Sequence, residues 1–143
     1  QIDKMAIITE ELNFSTKGHT EIVDITKNVE EVVKKSKISD GLVTVFIVGS
    51  TAGITTIEYE PGLIKDLKTA FERLMPEKIE YAHNAAWGDF NGYAHIRAAF
   101  IGSNRSFPLK DKKMILGTWQ QIILVDFDNR PRERKVIVQI MGE

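Results

Sequence analysis

The run Leu42-Val43-Thr44-Val45-Phe46-Ile47-Val48 constrains this chain more than any other stretch. Seven residues that are β-branched or apolar almost without interruption suit a strand buried on both faces, and such a strand belongs in the middle of a sheet. The Asp40-Gly41 pair before it is a turn signal. After it, Gly49-Ser50-Thr51-Ala52-Gly53 leads into a second extended segment over 54–60. Small residues let the main chain approach a ligand closely, so backbone N–H groups and the Ser50 and Thr51 hydroxyls can meet an anionic oxygen there. The loop lacks the Gly-Lys-Ser/Thr ending of a Walker loop, and a plain tight turn remains the alternative.

Around this centre the pattern is mostly extended. Met5 to Leu12 reads as a strand, 15–18 as a turn and 20–24 as a short strand, with His19 at the surface. Thr26 is placed to cap a helix carrying Val29, Val32 and Val33 on one face, with Glu30-Lys34 and Glu31-Lys35 pairs on the solvated one. Pro61-Gly62 opens a second helix with Leu63, Leu67, Ala70, Phe71 and Leu74 on its core face, and Pro76 closes it. Ala94 to Ile101 then reads as a strand, and 106–109 as an edge strand because of Pro108. The run 122–127 is apolar, the loop 128–132 follows, and Arg134 to Met141 alternates as a last strand. Many strands and two main helices predict a single α+β domain over 1–143, dominated by antiparallel sheet, without repeat or linker.

Composition removes several function classes. Nineteen basic and 20 acidic residues give a net charge of −1, which argues against a broad nucleic-acid footprint. With no cysteine, there is no disulfide framework, thiolate metal site or cysteine nucleophile. No apolar run approaches the roughly 20 residues of a membrane span, and the start of the chain lacks a signal pattern, so a cytoplasmic protein is expected.

Chemistry concentrates in 81–95, which holds two of the three histidines. His83, Asp89 and His95 supply two imidazoles and a carboxylate, donors that suit an open divalent-metal site such as zinc. Their spacing matches no compact metal motif, so convergence would have to come from the fold; polar residues flanking a loop are the alternative. Arg97 lies two residues beyond His95, hence on the same face if the segment is a strand, where its guanidinium could fork onto phosphate. Trp119 offers a face for stacking on a heteroaromatic ring, with Thr118 and Gln120 as polar neighbours.

Taken together, Gly-Ser-Thr-Ala-Gly-Ile-Thr-Thr-Ile-Glu-Tyr-Glu (49–60), Tyr-x-His (81–83), Asp-x-Asn-Gly-x-x-His-Ile-Arg (89–97) and Leu-Gly-Thr-Trp-Gln-Gln (116–121) resemble the YjbQ-like, or UPF0047, family, labelled secondary thiamine-phosphate synthase. The resemblance implies a barrel-like α+β fold, a homotrimer, and a metal or anion site near the histidines. It carries over His83 and His95 as ligands of a divalent ion, zinc or magnesium, and Glu58 or Asp89 as the accompanying carboxylate. At Gly49 the chain departs from the commoner family pattern, which has a histidine there. The implied activity joins a pyrimidine methyl diphosphate to a thiazole phosphate. Glu58, Asp89 and Arg97 would serve the chemistry, and Ser50, Thr51, Asn91, Thr118, Trp119 and Gln120 would hold the substrates. The competing expectation is a non-catalytic trimeric module that binds an ion or a phosphorylated metabolite.

Overall fold

A computed structural model describes residues 4–143; the first three residues of the expected domain lie outside the described residues. Twelve elements follow in order: β1 (Ala6–Thr16), β2 (Glu21–Asp24), α1 (Thr26–Ser36), β3 (Gly41–Val48), β4 (Ala52–Ile57), α2 (Pro61–Leu74), α3 (Ala82–Trp87), α4 (Gly92–Ile101), β5 (Asn104–Lys110), β6 (Lys113–Met114), β7 (Gln121–Asp126) and β8 (Arg132–Gly142). They build two antiparallel sheets, one in the order β1-β8-β3-β5-β6 and the other β2-β7-β4. Two cores result. The inner face of the larger sheet (Val43, Val45, Ile47, Val136, Val138 and Ile140) packs with Val29, Val32 and Val33 of α1 and with Ile54, Ile122 and Leu124 of the smaller sheet. The other face of the smaller sheet, Ile22, Ile123 and Val125, packs with Phe127 against Phe71 and Met75 from α2 and Tyr93, Ala94 and Ala98 from α4.

β3 is central, as its composition predicts, but it is buried on one face only. Leu42, Phe46 and Val48 point outward and are exposed. The strand covered on both faces is β7, because the smaller sheet lies between the larger sheet and the helices; Ile122 to Asp126 are all buried. Pro108 does sit towards an edge, where β5 is flanked beyond it only by the two-residue β6.

Helix boundaries follow local chemistry with two changes. Thr26 is the first residue of α1 rather than its cap: Ile25 holds the cap position, and the Asp24 carboxylate accepts from the Thr26 N–H at 3.0 Å. On the solvated face, no ion pair joins Glu30 to Lys34 or Glu31 to Lys35 among the described residues. At α2, Glu60 caps by accepting from the Gly62 and Leu63 N–H groups, with Pro61 at the first helical position.

The largest correction concerns 92–101, which is helix α4 and not a strand. Tyr93, Ala94, Arg97 and Ala98 are buried, a stripe with a period near four. Three alanines in the segment favour helix intrinsically. This rotates Arg97 away from His95, since residues two apart on a helix lie on opposite sides. The Arg97 guanidinium instead donates to the Met75 carbonyl at 3.0 Å, the Thr20 hydroxyl at 2.9 Å and Glu72 at 2.7 Å, with its carbon 4.9 Å above the Tyr93 ring. It ties α2, α4 and the turn before β2 together.

Candidate functional site

The site forms where β4 begins and β7 ends, because Ala52 pairs with Asp126 and the Thr51 carbonyl accepts from the Phe127 N–H at 2.9 Å. Asp126 is an acid at the end of an otherwise apolar strand, wholly buried, and it needs a partner there. Arg134 supplies it: Nε and Nη2 fork onto the Asp126 carboxylate at 2.7 and 2.8 Å, and the Thr16 hydroxyl also donates to it. Nη2 of Arg134 reaches the Thr51 hydroxyl as well, at 2.7 Å.

Asp128, also wholly buried, is the second anchor. One oxygen accepts from the Asn129 N–H at 2.8 Å and the Asn91 amide at 3.2 Å; the other accepts from Thr51 at 3.0 Å and from Arg132 Nε at 2.7 Å. Burial alone would raise the carboxyl. The Asn129 N–H, the Asn91 amide, Arg132 and Thr51 outweigh burial and bring it down to about 2. Asp126 is lowered in the same way, its burial overcome chiefly by Arg134 and Thr16.

From Asp128 the network continues to the imidazoles. Asn91 stands at the N-cap position of α4, donates to Asp128, and presents its carbonyl oxygen 3.0 Å from His83 Nε2. The same ring nitrogen is 3.2 Å from Asp89. Phe90, between these two partners, holds a left-handed φ of 58° that turns the chain sharply into α4. His95, one turn into that helix, brings its ring centroid 4.5 Å from that of His83, tilted by 57°. Burial lowers the His95 pKa, with His83 adding to the effect against Asp128 and Asp89, which favours the neutral imidazole.

These groups line a cleft of about 370 Å³, in which Gly49, Ser50 and Thr51 meet His83, Asp89, Asn91 and His95, with Trp87, Arg132 and Arg134 completing the lining. The structure thus brings His83, Asp89, Asn91, His95, Ser50 and Thr51 together around one cleft. The others lie elsewhere. β4 runs from Ala52 to Ile57, so Glu58 lies about 20 Å from the cleft along an extended strand. Gln120 donates to Thr56 at 3.1 Å, which keeps the 118–120 turn at that same far end with Trp119 70% exposed. Arg97 is consumed in the interior, as described above.

Sequence reasoning missed Asp126, Asp128, Arg132 and Arg134. The signals were present: an acid closing an apolar strand, and two arginines at the strand period of two, hence on one face.

The donors do not fit a protein-enclosed metal centre. No three acidic, imidazole or thiol groups gather in coordinating geometry among the described residues. A side chain at Gly49, where the commoner family pattern has histidine, would begin 2.9 Å from Arg134 Nη1, and Gly49 has a φ of 131° that disfavours any side chain. A fixed guanidinium there opposes a cation and favours an anion.

A family model described as UPF0047 protein YjbQ-like matches residues 10–143. The chain belongs to this family. A UPF0047 protein from Methanothermobacter thermautotrophicus is 35% identical over 97% of this chain and 95% of its own length. The UPF0047 protein YugU of Bacillus subtilis is 30% identical over 92% and 97%. Among solved structures, a YbjQ-like protein from Sulfolobus solfataricus superposes with a TM-score of 0.93 at 38% identity, covering 97% of this chain and 99% of that one. The YjbQ-like fold is thus the one adopted here. No helix among the described residues is long and apolar enough to cross a membrane.

Proposed function

We propose that the cleft of this YjbQ-like domain holds a phosphorylated small molecule, and that the chain acts as a transferase of the thiamine-phosphate-synthase kind. The reaction joins a pyrimidine methyl diphosphate to a thiazole phosphate. The observation that carries the reading is the state of the two arginines. Each is held to its own buried carboxylate through Nε and Nη2, while neither Nη1 has a protein partner among the described residues. Guanidinium groups fixed in this way meet charge on a departing diphosphate without reorganising. The carbon–oxygen bond to the methylene breaks, diphosphate leaves with the electron pair, and the thiazole nitrogen supplies the pair for the new carbon–nitrogen bond. Neutral His95 and the Ser50 hydroxyl donate hydrogen bonds to phosphate oxygens. Trp87, 76% exposed and lining the cleft, faces a substrate ring in the role expected of Trp119.

The test is incubation with both precursors and Mg²⁺, following thiamine phosphate by its fluorescent oxidation product. Wild type should form it, and His95→Ala and Ser50→Ala should each lose about 10²–10³ in rate. Product absent from wild type, or formed by both variants as fast as by wild type, overturns the transferase reading. The second reading, a binding module without turnover, is favoured by one observation: Glu58 and Trp119 lie far from the cleft within one chain.

A homotrimer is part of the same proposal. Leu42, Phe46, Val48, Met141 and Ile7 place exposed apolar side chains among the polar ones on the outer face of the larger sheet, which suits burial against further copies. Light scattering at micromolar concentration should give three times the chain mass; a monomer would refute the assembly.

A further inference from the structure

A cavity of about 580 Å³, larger than the histidine cleft and sharing no residue with it, opens between α1 and the β5–β6 hairpin. Lys34 and Lys37 come from one wall, together with the Glu30 carboxylate, and Lys112 and Lys113 from the other, over a floor containing Val33 and Met114, so four ammonium groups face one acid. In a chain with one more acid than base, none of these four ammonium groups is in an ion pair among the described residues.

The backbone around this cavity breaks local rules repeatedly. Lys37, Asp111 and Lys112 all have left-handed φ, at 60°, 51° and 66°. Asp111 and Lys112 form the two-residue hairpin tip, a conformation that asparagine and glycine adopt at little cost and a lysine does not. Lys110 also pairs directly across from Lys113, setting like charges opposite one another. The tip is nevertheless held firmly. Lys112 N–H donates to the Ser39 carbonyl at 2.9 Å, Asp111 N–H to the Asp40 carboxylate at 3.2 Å, and Asp40 exchanges backbone hydrogen bonds with Glu143 at 2.9 and 3.0 Å. Strain that the surrounding structure keeps in place, and that buries nothing, marks a position shaped for something other than stability.

We propose that this cavity is a binding site for a small organic polyphosphate, distinct from the histidine cleft. Ammonium groups are compact point charges suited to adjacent phosphates, the apolar floor suits a ring, and the volume is that of a small-molecule pocket. The probes are ATP, AMP and inorganic tripolyphosphate, titrated calorimetrically into the full chain. ATP should bind saturably at one site, more tightly than tripolyphosphate, which lacks a ring, and than AMP, which lacks adjacent phosphates. A Lys34→Gln Lys113→Gln chain should bind ATP about tenfold more weakly or worse. Lys112→Gly should also weaken binding while melting at or above the wild-type temperature, which separates loss of the ammonium from loss of the fold. His95→Ala should leave ATP binding unchanged, so that failure here and failure of the transferase reading are told apart. No saturable binding at millimolar ATP, equal affinity in the lysine variants, or loss of binding in His95→Ala would each overturn the proposal.

Discussion

An Arg134→Ala chain will be less stable than wild type by about 3–5 kcal/mol, the range for removing one partner of a buried ion pair. The Arg134 side chain is 7% exposed and Asp126 is fully buried, so water does not replace the guanidinium. The forked pair joins β8 to β7, hence one sheet to the other, and the Thr51 hydroxyl loses its donor at the same time. Urea unfolding followed by circular dichroism checks the value. Arg134→Lys should fall between wild type and alanine, since an ammonium keeps the charge but not the fork. A loss below about 1 kcal/mol would put the pair in the class of exposed salt bridges and contradict its burial.

Asp128 sets the expected acid limit. Its carboxyl titrates near 3.8 in an unfolded chain and about 2 in the folded one, so the folded state prefers the ionised form. The corresponding stability, about 2 kcal/mol, is fully present above pH 4 and is lost as the pH falls through the folded value. Wild type should therefore weaken steeply between pH 4 and 2. Asp128→Asn should be destabilised already at pH 7, where Arg132 loses its anion, and should lack that part of the acid slope. Stability measured across this window in both chains decides it; parallel curves would remove Asp128 from the account.

The fold was legible in sequence where a segment's own pattern matched its burial. The valines of α1, the leucines and Phe71 of α2 and the alternation of β8 all report one buried face. β3 departs from its pattern because residues apolar on both sides predict burial on both, whereas Leu42, Phe46 and Val48 face outward. Residues 92–101 misled because Ile96, Phe100 and Ile101 suit a strand, while the alanines and the buried stripe at 93, 94, 97 and 98 belong to a helix. That one error also misplaced Arg97. Within the candidate site, the polar loop residues could be named because histidines and hydroxyls in small-residue loops stand out. The carboxylate–arginine pairs behind them could not, since their partners meet only through pairing of β7 with β4 and through the loop from β7 to β8. Glu58 and Trp119 flank the opposite end of the same two strands, a separation set by strand length that motif order does not reveal.

The position of β8 bears on how the chain acquires its structure during synthesis. β8 follows every other strand in sequence, yet it lies between β1 and β3 and pairs with β1 along the full eleven residues of that strand. Until β8 leaves the ribosome, β1 has no neighbour in its sheet and one edge of β3 stays unpaired. Pairing across more than a hundred residues also demands a large loop closure before any contact is gained, which slows folding. The emerging chain therefore carries an unpaired eleven-residue strand until β8 has followed it, the kind of segment on which holding chaperones act and through which nascent chains aggregate.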